Sequence, residues 1–377
     1  MTAPTRLSPP VDLDRPRTRT MISPGIGIPT WRSLIIGLTL MAIALLVVAP
    51  ALMSSFELNR LAKYVCFAIV AVGIGFAWGR GGMLTLGQGV FFGIGGYAMA
   101  MHMQLADAEF AGAAAPEFMM LYGSGEVPIW WEPFRSPVFT IVAVIVLPAL
   151  LALALGYAIF SRKVKGAYFA ILSQALVAAF GVLLIGNQAT TGGFNGLSNF
   201  QSWFGYVLAD PANKRMIYFI AAAVLLAMIF VAFLLMRSRF GELLVATRDA
   251  EERVRFLGYN PATVKVSAFV VAAVMAGIAG ALFVPIVGII SPADIGVTPS
   301  IVFLIGVAAG GRASLFGPAI GAIAVAWAET SLSESFPDVW SYFQGLLLVL
   351  VIALLPGGVA SLAGKIRTRK TAEGAAR

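Results

Sequence analysis

The 377-residue sequence holds a single cysteine, Cys66, and a single histidine, His102. One cysteine cannot close an internal disulfide or build a cysteine-ligated metal site, and one histidine cannot supply a His-rich cluster. Charge is scarce as well: 12% of residues are charged against 59% hydrophobic, and the mean hydropathy is +0.89. A soluble globular domain is thereby excluded, because so much apolar surface could not be buried in one core. No GxxxxGK[ST] stretch occurs, so ATP is not bound by that device. Gly79-Arg80-Gly81 has no soluble strand and helix around it to make a dinucleotide loop. His102 has no evident serine or aspartate partner, so no catalytic residue, metal site or cofactor is expected.

Unbroken apolar runs of helix-spanning length recur instead, without the alternation of a membrane barrel. The fold class that follows is all-α, a polytopic transmembrane helix bundle. Spans are expected at Leu34–Met53, Leu61–Gly79, Met83–Ala106, Pro137–Phe160, Ala167–Gly186, Met216–Met236 and Val266–Val287. A short piece near Pro299–Gly311, then Leu315–Thr330 and Tyr342–Pro356, bring the count to about ten; the eighth is short enough for a half-span. Residues 1–30, polar and rich in Pro, Thr and Arg, read as a disordered tail rather than a signal peptide. Residues 31–362 form the transmembrane domain, and 363–377 a basic tail.

The net charge of +8 records topology. With the amino terminus cytoplasmic, 21 of the 26 basic residues fall on inner segments, and both termini lie inside. The acids Asp107, Glu109, Glu117, Glu126 and Glu132 fall on the outer loop 107–136. Anionic headgroups, not nucleic acid, are the partner this distribution fits. Within that loop, Trp130-Trp131-Glu132-Pro133-Phe134 reads as a short amphipathic piece at the membrane interface, and the acids as a landing surface for an external protein.

One long charged stretch, 237–265, separates two spans. Its Phe240, Leu243, Leu244, Val254 and Leu257 recur at helical spacing, so they line one side of a surface helix, a rigid elbow with an apolar face to offer. Gly258 suits a left-handed helix end, and Asn260-Pro261 suits a cap and first residue of the next helix.

Three Gly-rich interruptions, 79–89, 191–197 and 310–318, permit tight helix packing or broken helices that face a cavity. Beside them stand polar residues that hydrocarbon does not tolerate without a partner or water. Thr85, Gln88 and Tyr97 on the third span, and Ser173 with Gln174 on the fifth, are candidates to line a substrate path; Asn195 is a candidate for its outer mouth. Such a lining is neutral and suits a small uncharged polar solute. Glu329, the one acid placed within a span, would serve a proton-coupled carrier, although a hydrated carboxylate near the interface is the simpler reading.

The elbow residues Arg237-Ser238-Arg239-Phe240-Gly241-Glu242, Ala246, Arg248-Asp249, Glu251-Glu252, Gly258 and Lys265 resemble the coupling segment of permease subunits in the branched-chain amino acid and urea family of ATP-driven (ABC) importers. The runs Gly82–Gly89 with Gly95-Gly96-Tyr97, Tyr168–Ile171, and Gly310-Gly311-Arg312 through Gly317-Pro318 carry the same resemblance over roughly residues 60–360. Residues 192–200, 336–345, 164–169 and the loop at 107–136 look most like the urea-importing branch. Two departures are Gln88, where a histidine is common, and Ala313-Ser314, where Gly-Thr is more usual. The resemblance implies a non-catalytic permease of the bacterial inner membrane, paired with a homologous second permease. It also implies two ATP-binding cassette subunits and an extracytoplasmic substrate-binding protein. Phe240, Gly241, Leu244, Arg248, Asp249, Glu252 and Gly258 would then be the ATPase-coupling residues, and ATPase closure would move the elbow as a lever. Urea is the expected solute. The alternatives are branched-chain amino acids or short amides carried by the same machine, and a stand-alone channel or proton-coupled carrier, which would have no need of the elbow.

Overall fold

The computed structural model describes residues 30–164 and 166–335, with 342, 343, 345, 346 and 349 beyond them. Apart from those five residues, the expected span at 342–356 and the two tails lie outside the described residues. Helix α1 (Trp31–Ala42) runs through a π-helical turn, Ile43–Val48, into α2 (Ala49–Leu52). Helix α3 (Ser55–Ile74) opens on a capping box: the Ser54 Oγ accepts from the Glu57 amide at 3.3 Å and the Ser54 amide donates to the Glu57 carboxylate at 2.8 Å. A second π turn, Gly75–Arg80, extends α3.

Then follow α4 (Gln88–Phe110), α5 (Glu117–Tyr122), α6 (Pro137–Phe160), α7 (Ala167–Gly186), α8 (Gln188–Thr191) and α9 (Pro211–Arg237). After these come α10 (Arg239–Asp249), α11 (Glu251–Phe256), α12 (Pro261–Val287), α13 (Pro292–Ile295), α14 (Val297–Gly310) and α15 (Gly317–Ser335). Nine of the ten expected segments thus coincide with helices, but only seven helical stretches among the described residues are both long and apolar enough to cross a membrane. Helices α4 and α15 are not among the seven, and α4 is interrupted by Gln88, His102 and Gln104.

Helices α3 and α12 sit at the centre, most of their apolar residues enclosed by the chain itself, whereas α1, α6 and α7 turn apolar faces outward. Helix α12 packs most extensively on α4 and α6. Its crossing with α4 is backbone against backbone: Gly280 lies under the Phe92 carbonyl and Gly95 against Gly277, so neither glycine leaves room for a Cβ.

Helix α14 is short: its 14 residues reach about 21 Å, less than the roughly 30 Å of hydrocarbon, and only together with α13, as the stretch Pro292–Gly310, does it count among the seven. The chain before it, strand β4 (Ile289–Ile290) and α13, descends beside α4, meeting Gly96, then Gly93, then Gly89. Helix α14 therefore begins inside the bundle, in keeping with the short eighth segment read from the sequence.

Contacts sort the structure into two ends. At one, the Asn59 amide donates to the Ile286 carbonyl at 3.0 Å, strand β1 (Leu197–Ser198) pairs antiparallel with β4, and the Gln104 amide donates to the Ser198 carbonyl at 2.6 Å. A hairpin of β2 (Ser202–Trp203) and β3 (Tyr206–Val207) hangs there on Asp107, whose carboxylate accepts from the Gln201 amide at 2.7 Å, the Ser202 amide at 3.1 Å and the Ser202 hydroxyl at 2.7 Å. Asp107 is thus a structural tie and not part of an open acidic surface. The expected interfacial piece is split: Trp131 is fully buried beside Phe118 and Phe134 is buried, while Trp130, Glu132 and Pro133 are exposed. Pairing with distant segments explains this burial. Exposed Glu132 is hydrogen-bonded by Arg135 at 2.7 Å, which holds its carboxyl below the usual range.

Candidate functional site

At the other end, the third span starts later than its apolar run. Residues 81–87 are not helical, Gly82 takes a left-handed φ of +69°, and α4 begins only at Gln88. Thr85 therefore stands in a loop and not on a span. Its hydroxyl accepts from the Gly87 amide at 3.2 Å; the Ser173 hydroxyl of α7 accepts from the Leu86 amide at 3.1 Å and donates to the Ala170 carbonyl at 2.8 Å. Thr85 and Ser173 are brought together as braces of the loop.

The remaining path candidates behave differently. Among the described residues, Gln88 is buried with both amide atoms unpaired, the two amide atoms of half-buried Gln174 are enclosed without a partner, and the Tyr97 hydroxyl is buried and unpaired. Each such group in hydrocarbon costs several kcal/mol unless water or a solute meets it, so these three mark where a polar molecule is needed. Asn195 lies apart from them, exposed on a groove of about 670 Å³ shared with Gln104 and Asp107 at the opposite end.

The elbow is two helices rather than one. Ser238 caps α10, its hydroxyl accepting from the Gly241 amide at 3.3 Å, and Gly241 fits against the Leu235 and Met236 carbonyls. The helix then breaks at Ala250 (φ −150°, ψ 66°), although no glycine or proline announces it. The Lys265 ammonium meets the Glu251 carboxylate at 2.9 Å, both largely shielded, and straps α11 to α12. Gly258 adopts φ +86° and Asn260 caps α12 ahead of Pro261, as the sequence pattern requires.

The apolar side of the elbow is not free. Leu244 and Val254 are buried, and Phe240 and Leu243 are half-buried, Phe240 lying 6.3 Å from the Phe76 ring. Helical spacing put Leu257 on that same side, yet it is 75% exposed together with Phe256 at 90% and Tyr259 at 55%. The break at Ala250 turns this tip outward, and Phe256 and Tyr259 escaped the sequence reading. Arg248 also turns inward: Nη1 donates to the Gly79 carbonyl at 2.8 Å, Nε donates to Asp249 at 2.7 Å, and its stem covers Gly82. Glu252 and Asp249 remain exposed. A cavity of about 210 Å³ separates the loop from the elbow, lined by Met83, Phe169, Thr247 and Arg248 among others.

The third Gly-rich segment meets the first here. Gly79 packs against the Arg312 carbonyl with no room for a Cβ, and the Arg312 guanidinium lies 4.8 Å from the Trp78 ring centroid. The two loops share the pattern Gly-Gly-x-x-(Thr/Ser)-Leu, at 81–86 and 310–315. Both second glycines have positive φ, and the Ser314 hydroxyl accepts from the Gly317 amide at 2.8 Å much as Thr85 accepts from Gly87. That repeated hexapeptide was the signal in the sequence for a matched pair of loops. A groove of about 970 Å³ between α1 and α15 is mostly apolar, with Glu57, Arg60, Tyr64, Ser331 and Glu334 as its polar lining.

The branched-chain amino acid transport system / permease component family matches residues 56–352. The high-affinity branched-chain amino acid transport system permease protein LivM of Salmonella typhimurium (strain LT2) is 27% identical over 346 residues, covering 85% of this chain and 74% of the relative. LivM of Escherichia coli K12 gives the same figures. The corresponding permease protein LivH of Escherichia coli K12 is 26% identical over 310 residues, 78% of this chain and 90% of the relative. No solved structure matches.

Proposed function

This chain belongs to the branched-chain amino acid transport system permease family, a multi-pass protein of the inner membrane, and we propose that it is one of two related permeases of an ATP-driven importer for branched-chain amino acids. The observation that carries the reading is the family match over residues 56–352, which includes the elbow and both Gly-rich loops. The named relatives are amino acid permeases, and this moves the favoured solute from urea to amino acids. The neutral groups Gln88, Gln174 and Tyr97 are what still speak for a small amide such as urea.

In this reading both termini, the elbow and the loops at 81–87 and 311–316 are cytoplasmic, which puts most basic residues inside. An extracytoplasmic binding protein delivers solute at the end that holds β1 and β4, and two ATPase subunits dock on the elbow. The exposed tip Phe256, Leu257 and Tyr259 would enter the ATPase cleft, with Glu252 at the rim. Gly241, Leu244 and Arg248 serve coupling from within, by fixing α10 to α9 and to the 79–82 backbone. The path passes the unpaired groups Gln88, Gln174 and Tyr97, with Thr85 and Ser173 shaping it and Asn195 at the outer groove.

The test is uptake of labelled leucine and labelled urea by cells with the gene deleted and then restored. Loss of leucine uptake on deletion supports the reading. Loss of urea uptake alone moves the chain to the urea branch, and loss of neither sinks the importer reading.

A further inference from the structure

A cavity of about 290 Å³ opens where α3, α14 and α15 meet, one turn along α3 from the Asn59 tie. Pockets for drug-sized ligands measure roughly 300–1,000 Å³, so this one suits a single small molecule. Phe67, Phe283 and Val302 supply an apolar wall, while Lys63, Asp294 and Glu329 bring charges of both signs.

The charges are not used up among themselves. Asp294 is occupied, its carboxylate accepting from the Ser291 amide at 3.0 Å and the Ser291 hydroxyl at 2.6 Å. Among the described residues, Lys63 and Glu329 form no hydrogen bond and no ion pair within 4.0 Å, although both are half-buried and face the same space; the ammonium rests 5.7 Å from the Phe67 ring. The Tyr64 hydroxyl on the wall is buried, with the Arg60 guanidinium close by. Helix α14 starts at this cavity, with Thr298 and Pro299 of its first turn on the wall. The start of a helix favours an anionic group, and of the two wall residues Thr298 carries a backbone amide to offer while Pro299 carries none.

A cation, an acid, a helix start and apolar rings around one cavity match a molecule with a carboxylate, an ammonium and an aliphatic side chain. We propose that this cavity is a permease subsite for a zwitterionic α-amino acid with an apolar side chain, its carboxylate held by Lys63 and the start of α14 and its ammonium by Glu329. The proposal rests on the importer reading above and adds to it that the permease itself, besides any binding protein, selects for amino acids.

The test is equilibrium binding to the purified full chain in lipid nanodiscs, using L-leucine, isoamylamine (leucine without its carboxylate) and isovalerate (leucine without its ammonium). Leucine should bind about tenfold tighter than either single-charge probe, the size of one charged hydrogen bond. Lys63→Gln should weaken leucine and isovalerate by about tenfold and leave isoamylamine unchanged, and Glu329→Gln should do the converse. The probe that keeps its affinity shows that each variant is folded. The subsite is refuted if leucine binds no tighter than the two probes, or if either variant weakens all three alike or none. In cells the two ideas separate: if deletion spares leucine uptake the importer reading fails, and if Lys63→Gln restores uptake in full the subsite fails while the importer stands.

Discussion

Replacing Arg248 by methionine keeps the aliphatic stem over Gly82 and deletes the guanidinium that holds the Gly79 carbonyl at 2.8 Å. A hydrogen bond from a charged donor contributes about 1.5–3 kcal/mol. The second contact, to Asp249, is with a carboxylate 57% exposed and adds little. The population in which the elbow grips the end of the α3 extension should therefore fall about ten- to hundredfold relative to the released one. In proteoliposomes carrying the reconstituted importer, ATP hydrolysis should persist while ATP consumed per leucine imported rises about tenfold or more. Arg248→Lys, which keeps the charge without the fork, should fall between, and Arg248→Glu, set beside Asp249 and Glu251, should exceed the methionine variant. A wild-type ratio for Arg248→Met would show that the grip on Gly79 plays no part in coupling.

Trp131→Ala removes a fully buried ring beside Phe118; such truncations cost about 3–5 kcal/mol, visible as a lower unfolding midpoint of the purified chain. A surface-like effect on that midpoint would contradict the burial. Gly280→Ala drives a methyl into the Phe92 carbonyl and should cost about 1–3 kcal/mol or more. Gly181→Ala, whose Cβ meets nothing in α7, should instead stabilise by about 0.5–1 kcal/mol; equal effects in thermal melts would argue against the α4–α12 crossing.

Local signals in the sequence located the joint at 258–261: Gly258 and Asn260 before Pro261 do what their chemistry allows, because caps and left-handed turns are decided within a few residues. Ser54 with Glu57 and Asp210 before Pro211 are caps of the same kind, but hydropathy placed the starts of those spans at Leu61 and Met216 and passed over them. The break at Ala250 was not legible, since alanine carries no breaker signal and the break follows from fastening α10 to the 79–82 backbone and α11 to Lys265. Periodicity showed that Phe240, Leu244 and Val254 share a side but not that the chain itself would cover it. Helix α4 was hard to delimit because it is buried nearly all round, so no polar face marks where it starts. Of the candidate path, the unpaired amides were legible as misfits in hydrocarbon, whereas the Lys63–Glu329 cavity joins helices about 270 residues apart in sequence and leaves no local trace.

The contact between Gly79 and the Arg312 carbonyl fixes how many independent motions the end of the bundle next to the elbow can have. With backbone against backbone and the Arg312 guanidinium laid over Trp78, the loop joining α3 to α4 cannot slide without taking along the loop joining α14 to α15. Four helices are ganged at one knuckle, and the elbow grips that knuckle from the side. Any stroke of the elbow would reach α14 and α15 together, and these are the two helices that carry Val302 and Glu329 into the cavity at the far end. A small displacement on one face of the membrane would then change the width of a pocket on the other, without a relay of side-chain switches in between.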